Sequence, residues 1–323
     1  MVGARDEALA TALDLDPSQI SVSSIGGGSG FAGTLRVRSG DNQFFVKTGA
    51  GESSKVMFEG EYESLKAIHT AVPDLCPRPI GHGELQNGGY FLATEFIELG
   101  GGGFSRRRSS SGGNTLARQL AKLHSKRAIP DDKYGFPVTT CCGSTPQDNT
   151  YEDSWVTFFI NRRLLPILTA SIKSNGPQPD LTKQVTQTIP IAKYLLSRLS
   201  PPANQPVVVH GDLWSGNQSH GSIPPRIINP TPVVYDPSGC HAPAEYDHGI
   251  MTMFGGFDRD FWKEYETEVP RGEPVEEYED RVSLYRLYHT LNHFALFGGS
   301  YKGSAIGIME KLQRKYGDKT GDS

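Results

Sequence analysis

The sequence predicts an α+β protein with a small β-rich lobe at its N-terminal end and a larger, mainly helical lobe after it. Three short runs between residues 20 and 47 alternate apolar and polar side chains, as strands do. After residue 114, leucines and aromatic residues recur at helical spacing. A glycine-rich stretch separates the two patterns. We therefore expect a first lobe over 1–97, a hinge and insert over 98–113, and a helical lobe over 114–323.

The first lobe begins with a predicted short helix over residues 6–15, followed by a strand that leads into a glycine-rich loop. Two further strands are predicted over Thr34–Arg38 and Gln43–Lys47. Because glycine has no side chain, the backbone N–H groups of a glycine-rich loop can approach phosphate groups closely. We expect such a role for the residues that open the loop, Gly26, Gly27, Gly28 and Ser29.

Two other interpretations of this loop remain open. The stretch Gly28–Gly33 also fits the G-x-G-x-x-G pattern of dinucleotide-binding proteins. That version must open a helix, whereas a β-like alternation follows here, so we disfavour it. A flexible hairpin tip is the second alternative, because glycine content alone would also produce one.

Lys47 ends the third predicted strand, and a helix is predicted directly after it over Met57–Ile68. The apolar residues of this helix define a buried side, which leaves Glu59 or Glu61 to pair with Lys47. We favour Glu61 because it precedes the buried Leu65 by four residues and therefore lies on the same face. An exposed lysine at a strand end is the plain alternative for Lys47.

The first lobe is predicted to end in a strand over Tyr90–Ile97 that breaks into Gly100–Gly103. A strand that runs into a flexible linker is what a hinge between two lobes requires. Residues 100–113 combine glycine, arginine and serine and are expected to form a solvated insert. Three helices are predicted between residues 114 and 199, and three more after residue 258.

The stretch HGDLWSGN, residues 210–217, follows the apolar run Val207–Val209, and a second apolar run ends at Asp236. An Asp followed five positions later by an Asn, with another Asp after the next strand, is the catalytic arrangement of the kinase superfamily. In that arrangement Asp212 accepts the proton of the attacking hydroxyl, and Asn217 and Asp236 hold Mg²⁺. A surface turn is the alternative, since both His-Gly-Asp and Ser-Gly-Asn favour turns.

The kinase interpretation assigns a task to the earlier motifs as well. Lys47 would contact the phosphates of ATP while paired with Glu61. Backbone groups of Glu95, Phe96 and Ile97 would bond the adenine edge at the hinge. The predicted fold is therefore two-lobed and protein-kinase-like, with ATP and Mg²⁺ as the expected cofactors.

Composition excludes several other classes of function. The chain has 323 residues and a formal net charge of −4, which gives no electrostatic case for nucleic acid as a partner. No apolar stretch approaches the roughly 20 residues that a membrane helix needs. The N-terminus lacks an apolar signal core, so we expect a cytoplasmic protein. The four cysteines lack C-x-x-C spacing and are expected to be reduced thiols.

Taken together, these motifs resemble the fructosamine-3-kinase (ketosamine-3-kinase or protein-ribulosamine 3-kinase) family, whose relatives are aminoglycoside and choline kinases. The blocks that carry the resemblance span nearly the whole chain: FFVK, MFEGE, KYGF with TTCCG, HGDLWSGN, YDPS, FGGF and LNHF. The form HGDLW differs from the HRD of protein kinases. The resemblance implies ATP-dependent phosphorylation of the sugar 3-hydroxyl on ribulosamine or fructosamine adducts of lysine. The phosphorylated adduct then decomposes, which deglycates the protein.

The same resemblance implies a substrate side and a partner class. The expected substrates are small ketosamines and glycated proteins. Trp214 is expected to pack on the ketosamine, with a hydrophobic plug beneath the loop as the alternative. His289, Asn292 and His293 lie on a predicted C-terminal helix that could line the substrate side, although a structural role is the ordinary one for such residues.

Two departures from the family pattern bear on assembly and access. Many members carry Cys where this chain has Ser29, so a disulfide-linked dimer through the glycine loop is excluded and a monomer is expected. The stretch 218–232 is interpreted as an unusually long loop with several prolines. Two alternative functions stay open, namely a kinase of another small alcohol (aminoglycoside-like or choline-like) and a catalytically silent nucleotide-binding module.

Overall fold

Five antiparallel strands form one sheet in the first third of the chain, in the spatial order β1-β2-β3-β5-β4. A computed structural model of the chain describes residues 6–26, 32–86, 88–100, 114–127 and 132–320. The strands are β1 Ser21–Ser24, β2 Gly33–Ser39, β3 Asn42–Gly49, β4 Pro79–Glu84 and β5 Tyr90–Glu95. The predicted strands are thus confirmed, although the last one ends at Glu95 and not at Ile97.

Two helices pack against this sheet. Helix α1, Glu7–Leu13, begins at Asp6, whose carboxylate accepts the backbone N–H groups of Ala8 and Leu9. Its buried leucines join a small core with Val37, Val46 and Phe91. Helix α2, Gly51–Ala71, is longer than predicted and buries Phe58, Leu65 and Ile68, as its apolar periodicity indicated.

Helix α2 also contacts the second lobe at a glycine. A Cβ on Gly60 would lie 2.6 Å from the carbonyl oxygen of Thr139, so any larger residue would push the helix away from the chain segment beneath it. After β5 the chain leaves the sheet and forms the two-residue strand β6, Glu98–Leu99, which pairs with a hairpin of the second lobe. The connection between the lobes is therefore hydrogen-bonded on the second-lobe side.

The second lobe is mainly helical, which together with the sheet confirms the predicted two-lobed α+β architecture. Helix α3, Leu116–His124, begins at Thr115, whose hydroxyl accepts the backbone N–H of Arg118. A short hairpin follows, formed by β7, Thr140–Cys142, and β8, Thr145–Gln147. Three helical segments come next: α4 Trp155–Phe158, a wide π-type turn at Phe159–Leu164 that continues into α5 Leu165–Asn175, and α6 Pro179–Ser197.

The functional motifs lie on short strands at the centre of this lobe. Strand β9, Val207–Val209, leads into the HGDLWSGN stretch and pairs with β12, Cys240–Ala242. Between them, β10, Gln218–Ile223, and β11, Ile227–Val234, form an antiparallel hairpin. The prediction of a long loop over 218–232 is therefore wrong. Strand β11 is an edge strand, where prolines 230 and 232 need no N–H for the ladder.

Four helices complete the lobe: α7 Glu245–Met251, α8 Arg259–Glu268, α9 Tyr278–Phe297 and α10 Tyr301–Thr320. Helix α7 was not predicted, and every one of its residues is buried. Aromatic side chains from α4, α7 and α9 form the centre of the core. There Trp155 stacks on Phe158, meets Tyr246 edge-on and contacts the tilted ring of Tyr285. Among the described helices, none is both long and apolar enough to cross a membrane.

Candidate active site

Lys47, Glu61 and Asp236 meet between the two lobes. The Lys47 ammonium lies 2.7 Å from both carboxylate oxygens of Glu61 and 2.8 Å from Oδ1 of Asp236. Burial acts to lower the pKa of Lys47, but the two carboxylates outweigh it and leave the pKa raised. The prediction that Lys47 pairs with Glu61 is confirmed, and Lys47 is charged although its side chain is largely buried.

A cleft of about 440 Å³ opens beside this ion pair. Its walls come from the sheet, the connection between the lobes and the HGDLWSGN stretch. Of the residues predicted from the sequence, the cleft is lined by Gly26, Lys47, Glu61, Glu95, Phe96, Ile97, Trp214, Asn217 and Asp236. Gly27, Gly28 and Ser29 lie outside the described residues. Elements far apart in the chain thus converge on one cavity.

The hinge edge of the cleft is anchored by an arginine that sequence reasoning missed. Arg226 lies in the turn of the β10–β11 hairpin, and its guanidinium donates to the Glu95 carboxylate at 2.6 Å. It also donates to the carbonyl oxygen of Pro73 at 2.8 Å and to Asp74 at 3.0 Å. The Glu95 carboxylate is therefore paired with Arg226 of the second lobe. Only the backbone groups of Glu95 remain available to contact a nucleotide.

Asp212 is presented by a backbone turn that only glycine can make. Gly211 has φ +79°, and a Cβ there would lie 1.9 Å from the carbonyl oxygen of Ser238. The buried Asp247 accepts the backbone N–H groups of His210 at 2.8 Å and Gly211 at 2.7 Å. Since α7 carries Asp247, this unpredicted helix fixes the turn that carries Asp212.

His210 bridges the two acidic segments of the site. Its Nδ1 accepts the backbone N–H of Asp212 at 3.3 Å, so the proton is on Nε2, which donates to the carbonyl oxygen of Tyr235 at 3.1 Å. Burial lowers the pKa of His210 and keeps the ring neutral. The imidazole therefore couples the position of Asp212 to that of Asp236, which follows Tyr235.

Asn217 closes the turn around Asp212. Its side-chain nitrogen donates to the backbone carbonyl of Asp212 at 2.9 Å and lies 3.4 Å from the Asp212 carboxylate. The amide oxygen is then the atom left for a cation. Asp236, which lines the same cleft, adopts a left-handed backbone with φ 57°. The arrangement offers two hard oxygen donors, one from Asn217 and one from Asp236, as Mg²⁺ requires.

The electrostatics of Asp212 suit a proton acceptor. Burial, and after it the negative charge of Asp236, raise the pKa of Asp212 to about 8. A carboxylate with a raised pKa holds a proton more strongly than a free aspartate does. In the nucleotide-free chain the carboxyl is therefore ionised mainly above about pH 8, and once ionised it is a stronger proton acceptor than a free aspartate.

Trp214 stands at the mouth of the cleft. Its ring covers Gly216, where an added Cβ would lie 2.2 Å from the indole. The side chain is 38% exposed, and its ring meets Phe254 edge-on with centroids 5.7 Å apart. Phe254 in turn packs against His293 at 5.2 Å. Trp214 therefore lies on the surface of the loop and not beneath it.

The three α9 residues predicted to line a substrate side separate into two groups. His289 and Asn292 are buried, and Asn292 donates to the carbonyl oxygen of Cys142 at 3.2 Å. His293 is half-buried in the aromatic group with Phe254. His289 lies close to Asp212, with one ring nitrogen and a carboxylate oxygen within 4.8 Å. Their contact with a substrate stays a prediction.

Comparison with known proteins finds relatives over most of the chain. A family model described as fructosamine kinase matches residues 4–315. A ketosamine-3-kinase from Mus musculus is 30% identical over 292 residues, which cover 84% of this chain and 88% of that protein. The chloroplastic protein-ribulosamine 3-kinase from Oryza sativa subsp. japonica is 35% identical over 296 residues, covering 91% and 79%.

Solved structures share the fold. A crystal structure named for a fructosamine-3-kinase from Haemophilus somnus 129PT matches with a TM-score of 0.73 at 21% identity, covering 95% of this chain and 96% of that one. Aminoglycoside phosphotransferase APH(4)-Ia, in a ternary complex with AMP-PNP and hygromycin B, matches with a TM-score of 0.57 at 11% identity, covering 99% and 100%. The kinase-like fold is thereby confirmed.

Proposed function

The chain belongs to the fructosamine kinase family, and on that premise we propose that it is an ATP-dependent kinase of ketosamines. The acceptor is the sugar 3-hydroxyl of a ribulosamine or fructosamine adduct on lysine. The product is a ketosamine 3-phosphate, which decomposes and releases the amine. The reaction class is transfer of a phosphoryl group to an alcohol, and its role is protein deglycation.

One observation carries this proposal. Lys47 pairs with Asp236, and Asn217 lines the same cleft as both. Asn217 also closes the turn that carries Asp212, so a proton acceptor, two hard oxygen donors and a buried lysine belong to one connected site. Phosphoryl transfer requires these groups and little other covalent chemistry from a protein. The geometry equally argues against a silent nucleotide-binding module, since no member of the set is missing.

The residues present fit ATP and Mg²⁺. The cleft combines apolar walls from Ile25, Ala32 and Leu65 with the Lys47 ammonium, which suits a base at one end and phosphates at the other. Asn217 and Asp236 would hold Mg²⁺ through oxygen atoms. When bound, the cation neutralises charge on the phosphates and orients them.

The proposed mechanism uses the chain's own groups at each end of the transferred phosphoryl group. The Asp212 carboxylate accepts the proton of the sugar 3-hydroxyl. At the same time the sugar 3-oxygen forms a bond to the terminal phosphorus of ATP. The bond from that phosphorus to the bridging oxygen breaks, and ADP leaves. Lys47 stabilises negative charge on the phosphates, and Glu61 holds Lys47 in position. Asn217 and His210 keep the Asp212 turn fixed during transfer.

A substrate panel tests this function. Purified protein is assayed for ADP formation with ribuloselysine, fructoselysine and a glycated protein, and with an aminoglycoside and choline as unrelated alcohols. We expect turnover with at least one ketosamine and phosphate on the sugar 3-oxygen, as read by NMR of the product. Turnover of the unrelated alcohols alone would overturn the proposal. Tight nucleotide binding without any turnover would favour the silent module.

We further propose that the protein acts as a cytoplasmic monomer. The four cysteine thiols are all free, which suits a reducing compartment. The glycine loop carries Ser29 and no cysteine, so no disulfide can form there. Sedimentation with and without reductant tests the monomer, and a reductant-sensitive dimer would contradict it. Cell fractionation tests the location. The measurement discriminates between two compartments, because the rice relative is named as chloroplastic.

A further inference from the structure

Three potential metal-ligating side chains meet outside the set that faces ATP, and one of them is the proposed base, Asp212. One ligand atom each from Cys142, Asp212 and His289 lies within 4.8 Å of the others. We propose that these residues form a binding site for a thiophilic divalent cation of the Zn²⁺ type, and that the bound ion switches the kinase off by capturing the base.

The local framework holds two of the three ligands in place before any ion arrives. Cys142 ends strand β7, and His289 lies on the facing side of helix α9. Asn292, one turn after His289, donates to the carbonyl oxygen of Cys142 at 3.2 Å and so fixes the strand against the helix. The Cys142 sulfur lies 3.9 Å from Nδ1 of His289.

This spacing is close to what a tetrahedral ion needs. With Zn–S near ~2.3 Å and Zn–N near ~2.0–2.1 Å, sulfur and nitrogen on one ion stand about 3.6 Å apart. The observed sulfur–nitrogen distance exceeds that by a few tenths of an ångström, which a side-chain rotation of Cys142 can supply. Asp212 is half-buried and completes the set.

The His289 ring packs against Tyr246 and Tyr288, but among the described residues its nitrogens lack a strong hydrogen-bond partner. Its Nδ1 finds only the Cys142 sulfur, and its Nε2 is buried with no hydrogen-bond partner among the described residues. A buried polar atom left unpaired is costly, so such atoms call for a function. Burial also lowers the pKa of His289 to about 3, and the neutral ring is the form that ligates metals.

Charge balance favours occupation by a divalent ion. A thiolate and a carboxylate together carry two negative charges, and a divalent ion neutralises them. Neutralisation matters here because net charge in a buried place is energetically unfavourable. Burial raises the pKa of Cys142, so the thiol is protonated in the free enzyme. Binding therefore forms an S–M bond and releases the thiol proton to solvent, together with the proton that Asp212 carries below about pH 8, without any change of oxidation state.

The site discriminates between cations by ligand type. Sulfur and imidazole favour Zn²⁺, whereas Mg²⁺ prefers oxygen ligands such as those of Asn217 and Asp236. An ion on Asp212 blocks proton acceptance from the sugar hydroxyl. Inhibition should thus not be relieved by more Mg²⁺-ATP. The inhibitory consequence rests on the proposed role of Asp212 as base, whereas ion binding does not.

A binding experiment tests the site without reference to activity. Co²⁺ is titrated into the reduced full-length protein, and thiolate-to-Co²⁺ charge-transfer absorption is recorded in the near ultraviolet. We expect the band in the wild type and in Cys141→Ser, and its loss in Cys142→Ser. Cys141 is the matched control because it is the adjacent thiol and is not one of the three ligands. Absence of the band in the wild type, or its persistence in Cys142→Ser, would overturn the site.

An inhibition experiment tests the consequence. Kinase rates are measured at buffered free Zn²⁺ with excess Mg²⁺, and each variant is compared with its own rate without Zn²⁺. We expect Cys142→Ser to raise the half-inhibitory Zn²⁺ concentration at least tenfold, with Cys141→Ser unchanged. If Zn²⁺ acted by displacing Mg²⁺ from Asn217 and Asp236, added Mg²⁺ would restore activity in all three proteins, and the proposed inhibition would be refuted.

Thermal unfolding shows whether each variant is folded. Zn²⁺ should raise the Tm of the wild type but not that of Cys142→Ser. If Cys142→Ser does not fold, Cys142→Ala is used in its place. If no ketosamine is phosphorylated but the Co²⁺ band appears, the proposed function fails and the metal site stands. If ketosamines turn over and no band forms, the metal site alone fails.

Discussion

The Lys47 ammonium is shared between Glu61 at 2.7 Å and Asp236 at 2.8 Å, so one cation joins helix α2 of the first lobe to the acid that follows β11 in the second. In the proposed complex with ATP, the phosphates would replace Asp236 as the anion beside Lys47, and Glu61 would remain its partner.

Glu61→Gln should weaken ATP binding more than it weakens chemistry. The amide still accepts a hydrogen bond but no longer carries charge, so Lys47 shifts its pairing to Asp236 and away from the phosphates. We expect KM for ATP to rise about tenfold or more, since a partly buried charge partner contributes on the order of 1–3 kcal/mol. The half-buried Glu59, two residues away on α2, supplies the control variant Glu59→Gln. Equal KM values in both variants would refute the pairing as the cause.

Asp212→Asn should abolish most turnover while it leaves nucleotide binding intact. The side chain keeps its size and its contact with Asn217, but it can no longer accept the hydroxyl proton. We expect kcat to fall by about two to four orders of magnitude, the usual contribution of a general base. ATP affinity, measured by calorimetry, should change little. Near-normal kcat in the folded variant would remove Asp212 from the mechanism.

Asp236→Asn should raise the Mg²⁺ concentration needed for half-maximal rate. Asparagine tolerates the left-handed backbone at this position, where φ is 57°, so the substitution removes charge without straining the chain. The remaining amide oxygen is a weaker ligand for a hard cation than a carboxylate. Rates measured against free Mg²⁺ at saturating ATP give the shift. A titration curve that superposes on the wild type would contradict the assignment of Asp236 as a metal ligand.

Gly216→Ala should affect the acceptor and spare the nucleotide. A Cβ at this position would lie 2.2 Å from the Trp214 ring, so the indole must leave its place at the cleft mouth. If Trp214 packs on the ketosamine, KM for the sugar adduct rises several-fold while KM for ATP stays near its wild-type value. Gly303→Ala on helix α10, where a Cβ meets nothing within 4 Å, is the control and should be neutral. An unchanged acceptor KM in Gly216→Ala would argue against Trp214 as a substrate contact.

The parts of the site that could be predicted from sequence are those with a local signal. The spacing between Glu61 and the buried Leu65 was enough to choose Glu61 over Glu59, because helix periodicity orders side chains around an axis. The five-residue spacing between Asp212 and Asn217 likewise predicts a turn in which the second residue contacts the first. In both cases the residues that interact belong to one element or to one loop.

The parts that could not be predicted depend on contacts between distant elements. Asp247 fixes the Asp212 turn from the start of α7, and nothing near it in the sequence marks it as a buried acceptor of two backbone N–H groups. The stretch of the β10–β11 hairpin is longer than the family pattern and contains prolines, so the sequence predicts a loop there. The missing N–H groups of prolines are compatible with a strand only at a sheet edge. Arg226 acquires its role at the hinge only through that hairpin.

His248 should make the fold sensitive to mild acid. Its ring is buried against Trp262 and Tyr265, its Nδ1 lies 3.0 Å from the Tyr278 hydroxyl, and its charged neighbours are Asp247, Arg271 and, when protonated, His124. Burial lowers the pKa of His248 to about 3, against 6.5 for an unperturbed histidine. Below pH 6.5 His248 binds a proton in the unfolded chain but not in the folded chain. The free energy of unfolding therefore falls as the pH drops from 6.5 toward 3.

At pH 5 this single residue should lower the free energy of unfolding by about 2 kcal/mol relative to pH 7.5, since each pH unit below 6.5 contributes about 1.4 kcal/mol. His248→Gln keeps a hydrogen-bonding partner for Tyr278 but does not titrate. We expect it to be less stable than the wild type at pH 7.5 because packing is lost, yet to lose less stability between pH 6.5 and pH 5. Urea unfolding at several pH values measures both effects. The exposed His82→Gln is the control, and its pH dependence should follow the wild type; the same slope in His248→Gln would show that other groups govern acid unfolding.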